Sequence, residues 1–218
     1  MPKIVDHVKR REELSDATLR LLARSGLRAI TTRSVAEEAG WSTGVVNHYF
    51  SSHHDLLIQA LRRAVQRQTD YVRTVTRRAG DDPLERLRLM MQASLPLDER
   101  SVSLLRIFLI FYAEAGDNTE ASEEVREYLS SWRRSVTRLI KAAQSAGQIS
   151  ADLEAVDLAS DLIALADGLA IHAILDPDVL TRYEQRGTAL LALLEGRWSL
   201  RVERTERVNT ERRPRRPS

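Results

Sequence analysis

The chain has 218 residues, 43% of them hydrophobic and 29% charged, with a formal net charge of +2. That is enough apolar material for a sizeable core and enough charge to keep it in water. The complete absence of cysteine excludes a disulfide framework, a thiol nucleophile and a Cys-ligated metal.

The opening stretch MPKIVDHVKRREEL has no apolar segment of the kind that marks a secretory signal. No apolar run further along is expected to reach the roughly 18–20 residues that span a bilayer. A cytoplasmic location, with no membrane partner and no cofactor, is the expectation.

Helical spacing recurs along the chain while strand alternation is nearly absent, so the predicted fold class is all-α, with about nine helices. In the first helix Leu14, Ala17, Thr18, Leu21 and Leu22 share a face, and Gly26 ends it. Thr31 caps a second, short helix of roughly residues 32–39 that turns Val35, Ala36 and Ala39 inward and stops at Gly40. Ser42 caps a third, from about Thr43 to Tyr49. A long fourth helix runs from about His53 to Arg77. Asp82, Pro83 and Glu85 then read as the cap, N1 and N3 of a fifth that ends near Pro96. The sixth is expected over about 99–115, the seventh over 120–146, the eighth over 152–175 and the ninth from Asp176-Pro177 to about Trp198.

The eighth and ninth helices are apolar on most sides. Helices of that kind are covered on most sides, which suggests an antiparallel four-helix interface with a second copy. Leu162, Leu165, Ala166, Leu169, Ala173, Leu190 and Leu194 are the residues expected there. The centre of a monomeric bundle is the alternative. Residues 201–218 hold seven Arg and three Glu, a local charge of +4, and so the remainder sums to −2. Such a tail is expected to be disordered, either simply solvated or an auxiliary arm for a polyanion.

Three short helices with tight turns resemble a helix-turn-helix unit, the second and third being the reading pair. Val46 and Phe50 lie one turn apart and face the core. That leaves Thr43, Gly44, Val45, Asn47 and His48 outward. Asn47 can pair with adenine, Val45 can meet a thymine methyl, Gly44 allows close backbone approach, and Thr43 and His48 can serve bases or phosphate. Thr31, Thr32, Arg33, Ser42, Tyr49 and His53 are the candidate backbone-positioning residues.

The run LSDATLRLLARSGLRAITTRSVAEEAGWSTGVVNHYFSSHHDLL resembles the N-terminal domain of the TetR family of transcriptional regulators. STGVVNHYF is especially similar to the BetI-like subgroup, and ALADGLAIHAIL more weakly to the family's dimerising helix. Trp41, Asn47 and His53 depart from the residues common there. The resemblance implies a homodimer, most simply a repressor, that binds a palindromic double-stranded DNA operator and responds to a small-molecule effector. It implies a DNA-binding head at 1–52, a connecting helix at 53–79, an effector and dimerisation domain at 80–200, and the tail beyond.

Tyr71, Met90, Met91, Phe108, Phe111, Tyr112 and Trp132 are candidates for lining the effector cavity. Asp167 and His172 are polar residues in an apolar helix, suited to orienting a polar or cationic group. No metal site is expected. His53 and His54 diverge by about 100° on a helix. No catalytic motif is present, neither Gly-x-Ser-x-Gly, a phosphate-binding Gly loop nor His-Glu-x-x-His, and so no enzyme is expected. A small-molecule-binding or interaction protein with an inactive DNA-binding head remains the other reading.

Overall fold

The computed structural model describes residues 6–114, 119–176 and 178. Among them are eight α-helices and no strand: α1 (His7–Ser25), α2 (Thr32–Ala39), α3 (Thr43–Tyr49), α4 (His53–Thr76), α5 (Pro83–Gln92), α6 (Glu99–Glu114), α7 (Thr119–Ser145) and α8 (Ala155–Leu175). The expected ninth helix and the basic tail lie outside the described residues.

Local chemistry sets most of these boundaries. Thr31 and Ser34 form a reciprocal capping box at the start of α2, satisfying amides that have no intrahelical partner. Gly40 ends α2 at φ 71° and ψ 31°, the left-handed conformation that glycine adopts without strain. Ser42 accepts from the Val45 amide to start α3, and Asp82 accepts from Leu84 and Glu85 to start α5 with Pro83 at its first position. α1 begins well before its apolar stripe because the Asp6 carboxylate accepts from the Lys9 amide.

α1, α2 and α3 form a small head on the first half of α4. Leu14, Leu22, Val35, Val46, Leu56 and Leu61 are fully buried in its core. Polar ties brace it. Glu38 of α2 accepts from Arg20 and Arg24 of α1 at 2.8 and 2.9 Å, and those two hydrogen bonds hold its carboxyl below the usual carboxylate range. Asp16 of α1 takes both nitrogens of Arg63 of α4, at 2.8 and 3.0 Å. The paired, planar geometry fixes orientation as well as charge.

The head's core does not stop at the head. Leu104, Ile107, Phe108 and Phe111 of α6 and Val125 of α7 belong to the same buried cluster. A second cluster joins Leu87 and Met91 of α5, Val136 and Ile140 of α7, and Leu158, Leu162 and Ala166 of α8. α4 touches α1, α5, α6 and α7, so it is the element shared between head and body.

Two expectations need correction. α8 has 21 residues and is long and apolar enough, by length and composition, to cross a bilayer. Its packing against α5 and α7 accounts for that character, because one face is core. The same packing overturns part of the expected dimer face. Leu162 and Ala166 are 0% and 1% exposed within the protomer, packed against α5 and α7, and Leu169 and Ala173 are buried too. Leu165 is half-buried, and Leu190 and Leu194 lie outside the described residues. The outward face of α8 instead carries Val156, Ala164, Ile171 and Leu175, which recur within one arc of the helix.

Candidate functional site

α3 is short and has one face inward. Val46, Tyr49 and Phe50 are buried, whereas Thr43, Gly44, Asn47 and His48 are exposed and Val45 is half-buried. The outward residues are those whose chemistry suits base edges. Gly44 is informative. A Cβ placed there would meet only Ser42 Oγ, at 3.7 Å, an ordinary contact. Internal packing therefore does not require glycine, and its absent side chain leaves the backbone open to approach from outside.

The expected positioning residues divide. Thr31, Arg33 and Ser42 are exposed beside this face, and Thr32 is half-buried. Arg33 pairs with Glu37 at 3.0 Å on an open helix surface, an interaction weak enough to be exchanged for phosphate. Tyr49 and His53 are committed elsewhere. The Tyr49 ring is buried and its hydroxyl meets His7 Nδ1 at 3.0 Å, while His53 Nε2 meets the Ile30 carbonyl at 3.0 Å. Both were expected to reach the DNA backbone. Within the protomer each polar tip ties parts of the head together, and His53 stays exposed.

The start of α1 supplies what the sequence reading missed. The His7 ring lies 6.3 Å from that of His48. The Arg10 guanidinium sits 3.5 Å over the Trp41 ring, next to the start of α3, and Arg11 donates to the Tyr49 carbonyl at 3.3 Å. Arg10, which also pairs with Glu13 at 2.8 Å, and Arg11 thus bring positive charge to the edge of the α3 face, which itself carries no acid.

A second site lies in the body. Of the candidates, Phe108, Tyr112 and Trp132 line one cavity with Asp167, and Tyr128, Gln68 and Ser94 join them. Tyr128 stacks on Phe108 at 4.8 Å and on Trp132 at 6.3 Å between ring centres. Its place one turn before Trp132 was the available signal. Met90 lines an adjoining groove. The other candidates do not take part. Met91 and Phe111 are core, Tyr71 lies under the Arg100 guanidinium at 3.9 Å, and His172 is exposed near the end of α8. Asp176 stands four residues after His172, yet no group of three potential metal ligands forms among the described residues.

Asp167 is half-buried and has no hydrogen-bond or ion-pair partner among the described residues. Burial alone pushes its carboxyl up to about 6. Desolvation, and then the Asp167 charge, push the Tyr112 hydroxyl upward; Tyr128 is raised by burial first and then by its neighbours Tyr112 and Asp167. A half-buried carboxylate among four aromatic rings presents negative charge and aromatic faces to one space.

Residues 14–60 match the family described as bacterial regulatory proteins, tetR family, and residues 83–199 match the BetI-type transcriptional repressor C-terminal domain. The chain belongs to the TetR family of transcriptional regulators. It is similar to the HTH-type transcriptional regulator PksA of Bacillus subtilis, with 31% identity over 81% of this chain and 84% of the relative. It is 32% identical to the regulator BetI of Agrobacterium fabrum, over 79% of this chain and 80% of the relative. A transcriptional regulator from Saccharomonospora viridis, solved in complex with choline, superimposes with a TM-score of 0.70 at 27% identity, covering 78% of this chain and 87% of that one. Membership of this family makes the chain a DNA-binding regulator with an effector domain and not an enzyme.

Proposed function

We propose that this TetR-family regulator is a repressor that binds a palindromic operator as a homodimer, and that a small organic cation entering the Asp167 cavity releases it. The observation that carries the effector assignment is the unpartnered, half-buried Asp167 carboxylate walled by Phe108, Tyr112, Tyr128 and Trp132. Aromatic faces and a desolvated carboxylate together favour a quaternary ammonium group, which needs no hydrogen bonds of its own. The choline complex of the Saccharomonospora viridis relative supports the same chemistry.

The reading suggests a mechanism of release. The inner cavity is only about 40 Å³, room for about three waters by the space their centres need. Entry of a trimethylammonium group would then part the rings. Phe108, stacked on Tyr128, also belongs to the buried cluster that holds Leu14 of α1 and Leu61 of α4. Close-packed interiors transmit such displacement. Entry of the cation would bias the ensemble toward head positions that no longer match successive major grooves.

We divide the chain into a head at 1–52, a lever at 53–79 and an effector and dimerisation domain at 80–200; the family matches at 14–60 and 83–199 support a DNA-binding region followed by an effector region. Operator binding implies a cytoplasmic location. The second copy is placed on the outward stripe of α8. Changing Ile171 and Leu175 together to Glu should leave a folded monomer in sedimentation velocity at concentrations where the parent protein is dimeric. Leu162→Ala should instead lower stability by about 2–5 kcal/mol, the ordinary cost of emptying a core site.

Calorimetric titration of choline against its uncharged isostere 3,3-dimethylbutanol tests the effector assignment. Choline should bind at least tenfold more tightly. Equal affinities would mean that the cavity selects shape and not charge. The alternative, an effector-binding protein with an inactive head, is disfavoured by the open, acid-free face of α3.

A further inference from the structure

The cavity around Asp167 is not a closed end. It shares Gln68, Ser94, Tyr128 and Trp132 with a larger groove of about 330 Å³ between α4, α5 and α7. The two spaces adjoin across these four shared residues and have chemically opposite linings. At the inner end stand the carboxylate and the rings. The outer part is lined by Arg73 and Arg138 together with the hydroxyl-bearing Thr69, Thr76, Ser131 and Ser135, and no acid lines it.

The two arginines differ in how they are held. Arg73 pairs with Asp70 at 3.1 Å, but both side chains are mostly exposed, so the pair is readily exchanged. Arg138 has no hydrogen-bond or ion-pair partner among the described residues, although it borders the groove. α4 and α7 run in the same sense, since His54 meets Glu120 and, further along, Arg62 meets Glu124. The steps from Gln68 to Arg73 and from Trp132 to Arg138 therefore advance along the groove together. At 1.5 Å per residue, Arg138 lies about 9 Å beyond Trp132 along α7.

We propose that the effector is a two-headed molecule, its cationic group held by Asp167 and the surrounding rings and its far end an anion, a carboxylate or phosphate, held by Arg138 and Arg73. This rests on the cation-site reading above and extends it to the rest of the ligand. A guanidinium at an open mouth can meet either oxyanion in bidentate fashion. The offset of Arg138 from Trp132 along α7 favours a long ligand. A compact zwitterion would bring its negative end close to Asp167 and be repelled, whereas a longer one extends toward the arginines.

Isothermal titration of the full-length protein at neutral pH tests this with four probes. These are choline, glycine betaine, a trimethylammonio carboxylate with a longer polymethylene spacer than glycine betaine, and the alcohol of the same length as that carboxylate. The long carboxylate should bind at least tenfold more tightly than the long alcohol, and glycine betaine more weakly than choline. In the Arg73→Gln, Arg138→Gln double variant the carboxylate and the alcohol should bind alike, with choline affinity unchanged within about twofold. Equal binding of carboxylate and alcohol by the parent protein, or a double variant that weakens choline as much as the carboxylate, overturns the proposal while leaving the cation site intact. Failure of all four probes to bind overturns the cation site and this proposal together.

Discussion

Asp167→Asn should make the ligand-free protein more stable while destroying its response to the cation. The carboxyl is pushed up to about 6 by burial, against about 3.9 for a free Asp. The folded state therefore holds its proton more tightly than the unfolded state does. Wild-type stability falls as pH rises from about 4 through 6, and the loss is complete above that range. At one pKa unit per 1.36 kcal/mol, the cost near neutral pH is about 1–3 kcal/mol, the lower part of the range allowing for residual solvent contact. An amide of the same shape avoids it. Denaturant unfolding should show the variant more stable at pH 7.5 and equal to wild type below about pH 4. Choline affinity should fall at least tenfold in the variant. In the wild type, affinity should drop about tenfold between pH 7.5 and pH 5 as the carboxylate takes up its proton. A buried acid that served packing alone would show the stability change without the loss of binding.

Gly44→Ala poses the same kind of conflict at the other site. The position is helical, exposed and free of close neighbours. Alanine should leave thermal stability unchanged or raise it by up to about 1 kcal/mol. Operator affinity should nonetheless fall by tenfold or more, because the added methyl stands where the backbone must approach a base edge. Asn47→Ala should relax sequence preference with a loss of about 1–3 kcal/mol on the preferred site. Arg33→Ala should weaken all sequences alike and flatten the salt dependence. Binding isotherms on specific and scrambled duplexes at two salt concentrations separate these outcomes.

The head was legible because its residues satisfy local rules. Thr31 and Ser42 cap helices, Gly40 stops one, and Val46 and Phe50 share the inward face of α3, so the outward face followed by subtraction. Tyr49 and His53 escaped that logic, since their partners, His7 and the Ile30 carbonyl, lie 42 and 23 residues away in sequence. The aromatic wall was half legible. Tyr112, Trp132 and Asp167 announce themselves by type, but which Met or Phe faces a cavity depends on how α5, α6 and α7 turn against one another. α8 misled for a related reason. Its apolar surround says that it is covered on many sides, and only its contacts with Leu87 and Val136 show that Leu162 and Ala166 belong to the protomer's own core.

The central claim is that the open face of α3 reads DNA under control of the cavity around Asp167. Its most direct test is a titration of the protein against labelled duplex from its own upstream region at fixed salt, repeated with saturating choline and with saturating long trimethylammonio carboxylate. The expected result is sequence-specific binding that weakens at least tenfold with whichever cation occupies the cavity, and that no longer responds in Asp167→Asn. Specific binding unmoved by a cation shown to occupy the cavity, or no preference for any duplex over a scrambled one, would contradict it.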